Sequence, residues 1–120
     1  MPAKEKARVF IGCSGFSYGH WRGGFYPEKL SQSKWLEYYA KHFDTVELNV
    51  TFYRLPQETT FKNWRERTPK RFIFVVKGSK LITHLKMLRD VKEPLRELLD
   101  RAGGLGDKLG IVLWQLKPSH

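Results

Sequence analysis

"TVELNVTFYRLP", residues 45–56, places a carboxylate and an amide in a segment that otherwise has the pattern of a buried strand. Aliphatic residues at positions 46, 48 and 50 alternate with polar residues at positions 47, 49 and 51, so the two faces of the segment differ. In an open sheet covered by helices on both faces, the polar face would be buried at a cost in free energy. In a barrel, the same face points inward near the strand ends that carry binding groups. The stretch therefore favours a barrel.

The rest of the chain predicts strands and helices in regular alternation. Hydrophobic patterns and helix-ending residues predict strands over 8–13, 45–49, 71–77 and 109–116, and helices over 33–43, 56–68 and 91–103. This order is typical of a parallel α/β sheet with right-handed crossovers. We therefore predict one domain over residues 1–120, built from parallel (β/α) units in the order strand, helix, strand, helix, strand, helix, strand.

Charge and composition narrow the classes of partner. The net charge is +10, and residues 61–120 carry 14 Lys and Arg against 6 Asp and Glu. Such a balance favours a small anionic ligand or nucleic acid, and a basic surface that only keeps the protein in solution is an equal alternative. Cys13 is the only cysteine, so no disulfide framework is expected. The sequence contains neither an apolar run of membrane-spanning length nor a signal-peptide core, which predicts a cytoplasmic protein without a membrane partner.

Polar residues fall near the carboxyl end of every predicted strand. In chain order they are Ser14, Glu47 with Asn49, Lys77, and Gln115. The carboxyl ends of parallel barrel strands meet at one mouth, which is where the active sites of such barrels lie. Ordinary strand ends that meet solvent would give the same pattern, so this alternative stays open.

Four of the polar residues are candidate catalytic groups: Glu47, Asn49, Lys77 and His84. Glu47 is the candidate general acid or base, and Asn49 could orient a substrate hydroxyl. Lys77 could form a Schiff base, but an ion pair with Glu47 would keep it protonated and leave both residues with a structural role. His84 could transfer a proton near neutral pH or make a structural hydrogen bond.

Six residues are candidate ligand-binding groups: Ser14, Tyr18, Trp21, Tyr53, Arg54 and Gln115. Tyr18 and Trp21 lie in a glycine- and aromatic-rich loop after the first predicted strand, which could cover a ligand or plug the core. Tyr53 and Arg54, together with the basic segment 77–92, form a candidate anion clamp.

Known chemical motifs identify neither a metal site nor a cofactor. The segment "GFSYG", residues 15–19, matches the nucleophile elbow of hydrolases, but the sequence after it does not predict the required helix. No HExxH, CxxC or facial-triad pattern is present, so we predict no metal site. There is no phosphate-binding Walker loop and no GxGxxG motif, and the cofactor stays unknown.

Four segments in order carry a resemblance to a known family. They are "GCSGFSYGHWRGGFYPEKL" (12–30), "WLEYYAKHFDTVELNVTFYRLP" (35–56), "FVVKGSKLITHLKMLRD" (74–90) and "LGIVLWQLKPS" (109–119). With them the chain resembles the YecE-like family, domain of unknown function 72. The resemblance implies a TIM-type (β/α)8 barrel and implies little about the reaction. Such a barrel needs about 250 residues, so these 120 residues resemble its N-terminal half.

A half barrel has consequences for partners and function. Its inner side chains and two strand edges would be exposed, so we expect self-association or a second chain to cover them. Three functions remain open. The first is an enzyme that acts on a small anionic or polyhydroxylated substrate by acid/base chemistry at the strand ends. The second is a protein that binds or processes nucleic acid through its basic second half, and the third is a fragment without independent activity.

Overall fold

The computed structural model describes residues 8–118 and contains one four-stranded sheet. The strands are β1 (Gly12–Ser14), β2 (Thr45–Leu48), β3 (Ile73–Lys77) and β4 (Leu109–Leu113). All neighbouring strands are parallel, and their spatial order follows the chain, β1-β2-β3-β4. The predicted α/β fold with four parallel strands is therefore confirmed.

Helices connect the strands. They are α1 (Trp35–His42), α2 (Val50–Tyr53), α3 (Glu58–Glu66) and α4 (Lys92–Ala102). Short 3-10 segments occupy Gly19–Trp21, Gln32–Lys34 and Gly103–Lys108, and a π-helical turn covers Leu81–Leu85. The predicted helices over 33–43, 56–68 and 91–103 correspond to α1, α3 and α4. The sequence did not predict α2 or the π-helical turn. None of the helices in the described part of the chain has the length and apolar character needed to cross a membrane.

The two faces of the sheet have different surroundings. Val46, Leu48, Phe74 and Val76 point to the helices and are at most 2% exposed, in one core with aromatic residues such as Tyr39. Glu47 and Val75 are paired neighbours on the opposite face and are only half-buried. On that face Ile111 of β4 is 58% exposed. In a closed barrel this second face would be the interior, and it is the face on which the sequence predicted Glu47.

Several boundaries differ from the sequence prediction, and three of the differences affect candidate site residues or β1. The first strand was predicted over 8–13, but β1 pairs with β2 only from Gly12 to Ser14. Asn49 is not on the strand face with Glu47, because its backbone is helical (φ −77°, ψ −25°) and α2 follows at once. Gln115 lies beyond β4, which ends at Leu113, and is exposed to solvent. Asn49 and Gln115 thus lie just beyond the carboxyl ends of β2 and β4 rather than within the strands, where the predicted ranges placed them.

A side-chain hydrogen bond explains why the chain turns at Asn49. The Thr51 hydroxyl lies 2.7 Å from the carbonyl oxygen of Leu48 and 2.7 Å from that of Lys77. It therefore fixes the first turn of α2 against the end of β3, in the way that Thr hydroxyls often stabilise turns. The polar alternation in the sequence continues through position 51, but the backbone no longer follows it.

Candidate functional site

Ser14 and Glu47 lie side by side at the carboxyl end of the first two strands. They are register partners, and the Ser14 hydroxyl donates a hydrogen bond of 2.9 Å to Oε1 of Glu47. The Gly15 N–H donates to the Glu47 backbone carbonyl at 2.8 Å, so the loop after β1 starts directly beside this carboxylate. Among residues 8–118, Oε2 of Glu47 accepts no side-chain hydrogen bond. The carboxylate is therefore held in place while one of its oxygens stays available.

Lys77 does not pair with Glu47. The register partner of Glu47 on β3 is Val75, and Lys77 lies two residues further along the strand. The Lys77 ammonium instead lies 4.5 Å from the centroid of the Phe52 ring, which α2 brings over the end of β3. No ion pair within the described residues includes Lys77. The alternative of a structural ion pair between the two residues is therefore wrong.

His84 contacts the same Phe52 ring as Lys77 does. Its imidazole packs against Phe52 with a centroid separation of 5.1 Å and an interplanar angle of 86°. Its Nδ1 is 2.8 Å from the hydroxyl of Thr83, a buried residue of the same turn. Lys77 and His84, predicted separately from the sequence, are thus brought together by a residue that the sequence analysis did not select.

A cavity of about 430 Å³ opens next to the Ser14–Glu47 pair. It lies between the loop after β1, the 3-10 segment before α1, the helix α2 and the helix α3. Its lining contains three predicted site residues, namely Tyr18, Asn49 and Tyr53. The lining also contains residues that the sequence analysis missed, most notably Gln32, Ser33, Trp64 and Arg67.

Arg67 closes one wall of the cavity and is itself neutralised. Its guanidinium lies 2.7 Å from Oε1 of Glu37 on α1 and 2.6 Å from the carbonyl oxygen of Ser33, and it donates to Oδ1 of Asn63 at 3.2 Å. The hydrogen bond from Arg67 holds the pKa of the Glu37 carboxyl below its ordinary value. Because Arg67 is the only charged residue in the lining, the cavity has no unpaired charge.

The missed residues could have been recognised only weakly from the sequence. Trp64 and Arg67 are three positions apart, so they lie on one face of α3 and its carboxyl-terminal turn. Helical spacing could therefore have grouped them, but it does not reveal which neighbouring element the face meets. Gln32 and Ser33 precede α1 in a segment without periodicity.

Tyr18 connects the cavity to the strand ends. It lines the cavity, and its hydroxyl donates a hydrogen bond to the carbonyl oxygen of Ser14. Trp21 has a different role, because its ring packs against Tyr18, Phe25 and Tyr26, with centroids 4.8, 5.7 and 5.7 Å away. The sequence allows two interpretations of the aromatic loop, which could either cover a ligand or plug the core. Tyr18 is in a position to contact a ligand in the cavity, whereas Trp21 packs against the aromatic residues of the core.

The remaining predicted ligand-binding residues lie apart from these groups. Arg54 is exposed at the end of α2 and does not line the cavity, and Gln115 lies beyond β4. Within residues 8–118, no group of three or more His, Cys, Asp and Glu side chains is arranged to hold a metal ion. The predicted site residues thus form two groups. One group lies at the ends of β1 to β3 and in the turn after β3, and it contains Ser14, Glu47, Lys77 and His84. The other group lines the cavity and contains Tyr18, Asn49 and Tyr53.

Comparisons with known sequences place the chain in a family. The model of the family described as "Protein of unknown function DUF72" matches residues 10–120. The UPF0759 protein YecE of Escherichia coli K12 is 37% identical over 108 residues, which are 90% of this chain and 37% of YecE. The UPF0759 protein YunF of Bacillus subtilis 168 is 33% identical over 70 residues, covering 58% of this chain and 24% of YunF. The chain thus spans little more than a third of the length of YecE.

Solved structures show the same fold. A DUF72 family protein from Thermotoga maritima MSB8 has a TM-score of 0.78 and 35% identity, over 92% of this chain and 45% of its own. A DUF72 family protein from Enterococcus faecalis V583 has a TM-score of 0.65 at 20% identity, over 87% of this chain and 37% of its own, a likeness of fold alone. With the four parallel strands described above, these matches show that the chain belongs to the DUF72 (YecE-like) family of TIM-barrel-like proteins.

Proposed function

We propose that this chain contributes part of an enzyme active site, in which Glu47 acts as general acid or base on a small ligand held at the carboxyl ends of the strands. The Ser14–Glu47 hydrogen bond of 2.9 Å carries the proposal, because it fixes a half-buried carboxylate on a sheet face that is otherwise largely apolar. A charged group in such surroundings costs free energy, and catalytic sites are where proteins commonly accept that cost.

The cavity favours a polyhydroxylated ligand. Its lining combines the flat side chains of Tyr18, Tyr53 and Trp64 with the amides of Gln32 and Asn49. Sites for small molecules typically have such a mainly apolar and aromatic lining with a few polar groups that fix orientation. Because Glu37 neutralises Arg67, nothing in the lining calls for an anionic group at this point. We therefore propose that hydroxyl-bearing carbon atoms of the ligand occupy the cavity.

A short series of contacts relates the cavity to the proposed acid or base. Tyr18 lines the cavity and bonds to the Ser14 carbonyl, while the Ser14 hydroxyl bonds to Glu47. Gly15 and Leu48, the chain neighbours of Ser14 and Glu47, line the cavity, so a ligand there would lie one residue away from this pair. Proton transfer requires hydrogen-bonding distance to the reacting atom, directly or through one water molecule.

Ligand-observed NMR with a panel of monosaccharides, disaccharides and inositol tests binding, and turnover of any hit tests chemistry. We expect Glu47→Gln to keep ligand binding within about twofold and to lower turnover at least about 100-fold, because only the acid/base group is lost. We expect Asn49→Leu to weaken binding. Glu66→Gln, a change at an exposed carboxylate of α3, is the matched control and should leave both properties intact. Full turnover by Glu47→Gln would end the catalytic proposal.

The basic surface supports a second candidate, the binding of single-stranded nucleic acid. Lys80, Arg89 and Lys92 are exposed and take part in none of the ion pairs found within residues 8–118, and Tyr53 is 70% exposed. Exposed cations together with exposed aromatic rings are typical of such binding. Fluorescence anisotropy with a labelled oligonucleotide should then show affinity that falls steeply with salt and does not change in Glu47→Gln. Affinity without salt dependence would contradict this candidate.

A further inference from the structure

Lys77 is a cation without a counterion on a largely apolar surface. It is half-buried at the end of β3, and its neighbours on the same sheet face are Val75 and its register partner Leu113. No carboxylate of the described residues lies within ion-pair distance of it. A partly buried charge normally has a partner, because transfer away from water is costly. The missing partner is the observation from which the inference starts.

The contact with Phe52 holds the ammonium in place without using its hydrogen-bond donors. The ammonium nitrogen is 4.5 Å from the ring centroid, a distance at which a cation is attracted by the aromatic face. The ring accepts no conventional hydrogen bond, so the three N–H donors of Lys77 stay available. Phe52 is itself 9% exposed and is anchored by the neighbouring Thr51.

His84 provides a second donor beside the Phe52 ring, and its contact with Thr83 determines which imidazole nitrogen has no partner. The Thr83 hydroxyl lies 3.4 Å from the Ser79 carbonyl oxygen, to which it can donate only its single proton. The same proton can instead be donated to Nδ1 of His84, which is closer at 2.8 Å. Nδ1 is then the acceptor, and Nε2–H is a donor without a partner among the described residues.

We propose that Lys77 and His84 form a subsite for a phosphate group, the anionic part of a phosphorylated ligand. A phosphate group can accept hydrogen bonds from the Lys77 ammonium and from an imidazole N–H at once, and its dianion carries more charge than a carboxylate. The segment 77–92 contributes further positive charge, since it contains five Lys and Arg against one Asp. Glu47 is the carboxylate on this face of β2, and it is in register with Val75, two residues before Lys77.

The subsite extends the proposed function. A role for the subsite in catalysis rests on that proposed function. A ligand with its phosphate at Lys77 and its hydroxyl-bearing carbons in the cavity would extend across the carboxyl ends of β2 and β3. Glu47 is on the strand between the two ends. Lys77 and His84 would then be binding residues, and Thr83 would be a positioning residue that acts through His84.

Titration with inorganic phosphate, followed by NMR of protein with 15N-labelled histidine, tests the subsite. The His84 signals are assigned with His84→Gln, and sulfate and acetate at matched ionic strength are the comparison anions. We expect phosphate to shift the His84 Nε2 signal saturably, with acetate at least about tenfold weaker. The absence of a saturable shift, or equal shifts by all three anions, would overturn the proposal.

Variants distinguish specific phosphate binding at the subsite from general attraction of anions to a basic surface. Lys77→Met keeps the side-chain length and should weaken phosphate binding at least about tenfold, whereas Lys77→Arg should retain it. Lys80→Met, at an exposed lysine of the same segment, is the control, and an equal loss there would show attraction by overall charge only. Thr83→Val should mix the two neutral tautomers of His84, and Thr83→Ser should restore one. An unchanged tautomer in Thr83→Val would remove Thr83 from the proposal.

The outcome is independent of the catalytic proposal. Phosphate binding is measured without turnover, and Glu47→Gln should leave it unchanged. Phosphate binding together with full activity of Glu47→Gln would keep the subsite and remove the acid/base role of Glu47. Loss of phosphate binding in Lys77→Met alongside a folded circular dichroism spectrum would show that the effect is local.

Discussion

Arg67 lies 2.7 Å from the Glu37 carboxylate and thereby ties the end of α3 to α1. The same guanidinium donates to the Ser33 carbonyl at 2.6 Å, just before α1 begins. The two charged side chains are 26% and 33% exposed, so the pair is partly shielded from water. One side chain thus fixes the distance between two helices and forms a wall of the cavity.

This pair predicts a loss of stability in acid. The pKa of Glu37 is lowered from its ordinary value of 4.5 by the hydrogen bond from Arg67. The unfolded state therefore binds more protons between the two pKa values, so the contribution is present above about pH 4.5 and is lost as the pH falls through the lowered pKa. Urea unfolding should show Glu37→Gln less stable by about 1 kcal/mol at pH 7, with a smaller difference near pH 3. A difference that does not change with pH would contradict this account.

Lys108 is expected to stabilise the end of α3. Its buried ammonium donates to the carbonyl oxygens of Arg65 and Thr68 at 2.6 and 2.7 Å and lies 3.1 Å from the Thr68 hydroxyl. Lys108→Met would remove the ammonium donor from the Thr68 carbonyl and one of several donors from the Arg65 carbonyl, and it should lower the free energy of unfolding by about 2 kcal/mol. Lys62→Met removes only an exposed ion pair with Glu58 and should cost about 0.5 kcal/mol or less. Equal effects in chemical denaturation would argue against the capping role.

The Tyr39 hydroxyl is expected to hold β1 against β2. It accepts a hydrogen bond from the Cys13 N–H at 2.6 Å and donates to the Thr45 carbonyl at 2.8 Å. Burial raises its pKa, so the hydroxyl stays protonated over the usual pH range. Tyr39→Phe would leave two backbone groups unpaired and should cost about 2 kcal/mol. Tyr38→Phe, at the preceding position of α1, is the matched control. Its thermal unfolding temperature should be close to that of the unchanged protein.

Gly12 is required by the close approach of two strands. A Cβ atom at this position would lie 1.9 Å from the carbonyl oxygen of Thr45, which is backbone and cannot move aside alone. Gly12→Ala should therefore cost about 3 kcal/mol or prevent folding. No atom lies within 4 Å of the corresponding position at Gly19, so Gly19→Ala should be tolerated. Circular dichroism melting of both variants checks the comparison, and a well-tolerated Gly12→Ala would refute it.

The exposed inner face predicts self-association of the 120-residue chain. Ile111 is 58% and Leu113 37% exposed on this face, and β1 and β4 are both free edges of the sheet. Two copies related by a two-fold axis along the strands would place β4 of each beside β1 of the other in parallel. Light scattering should give about twice the 14.1 kDa chain mass, and Ile111→Lys should reduce it. A monomer that melts cooperatively would contradict the expectation.

The order of the elements could be predicted because it depends on local patterns. Apolar runs, helical spacing and Gly or Pro at helix ends are read along the chain, and they identified all four strands and the three longer helices. The pattern failed at Asn49, where polar alternation continues but a hydrogen bond from Thr51 to residues of two strands turns the backbone. Such a contact depends on the neighbouring strand, which local alternation does not encode.

The candidate site likewise has features that local patterns predict and features that only tertiary contacts determine. The sequence by itself determined that Ser14, Glu47 and Lys77 end three neighbouring strands, because strand order and side-chain alternation follow from periodicity. Only the tertiary structure decided the partners: Glu47 bonds to Ser14, Lys77 lies on Phe52, and Arg67 meets Glu37 across 30 positions of the chain. Those choices depend on how helices pack on the sheet, and packing is set by the shapes of many side chains together, which no spacing along the chain records.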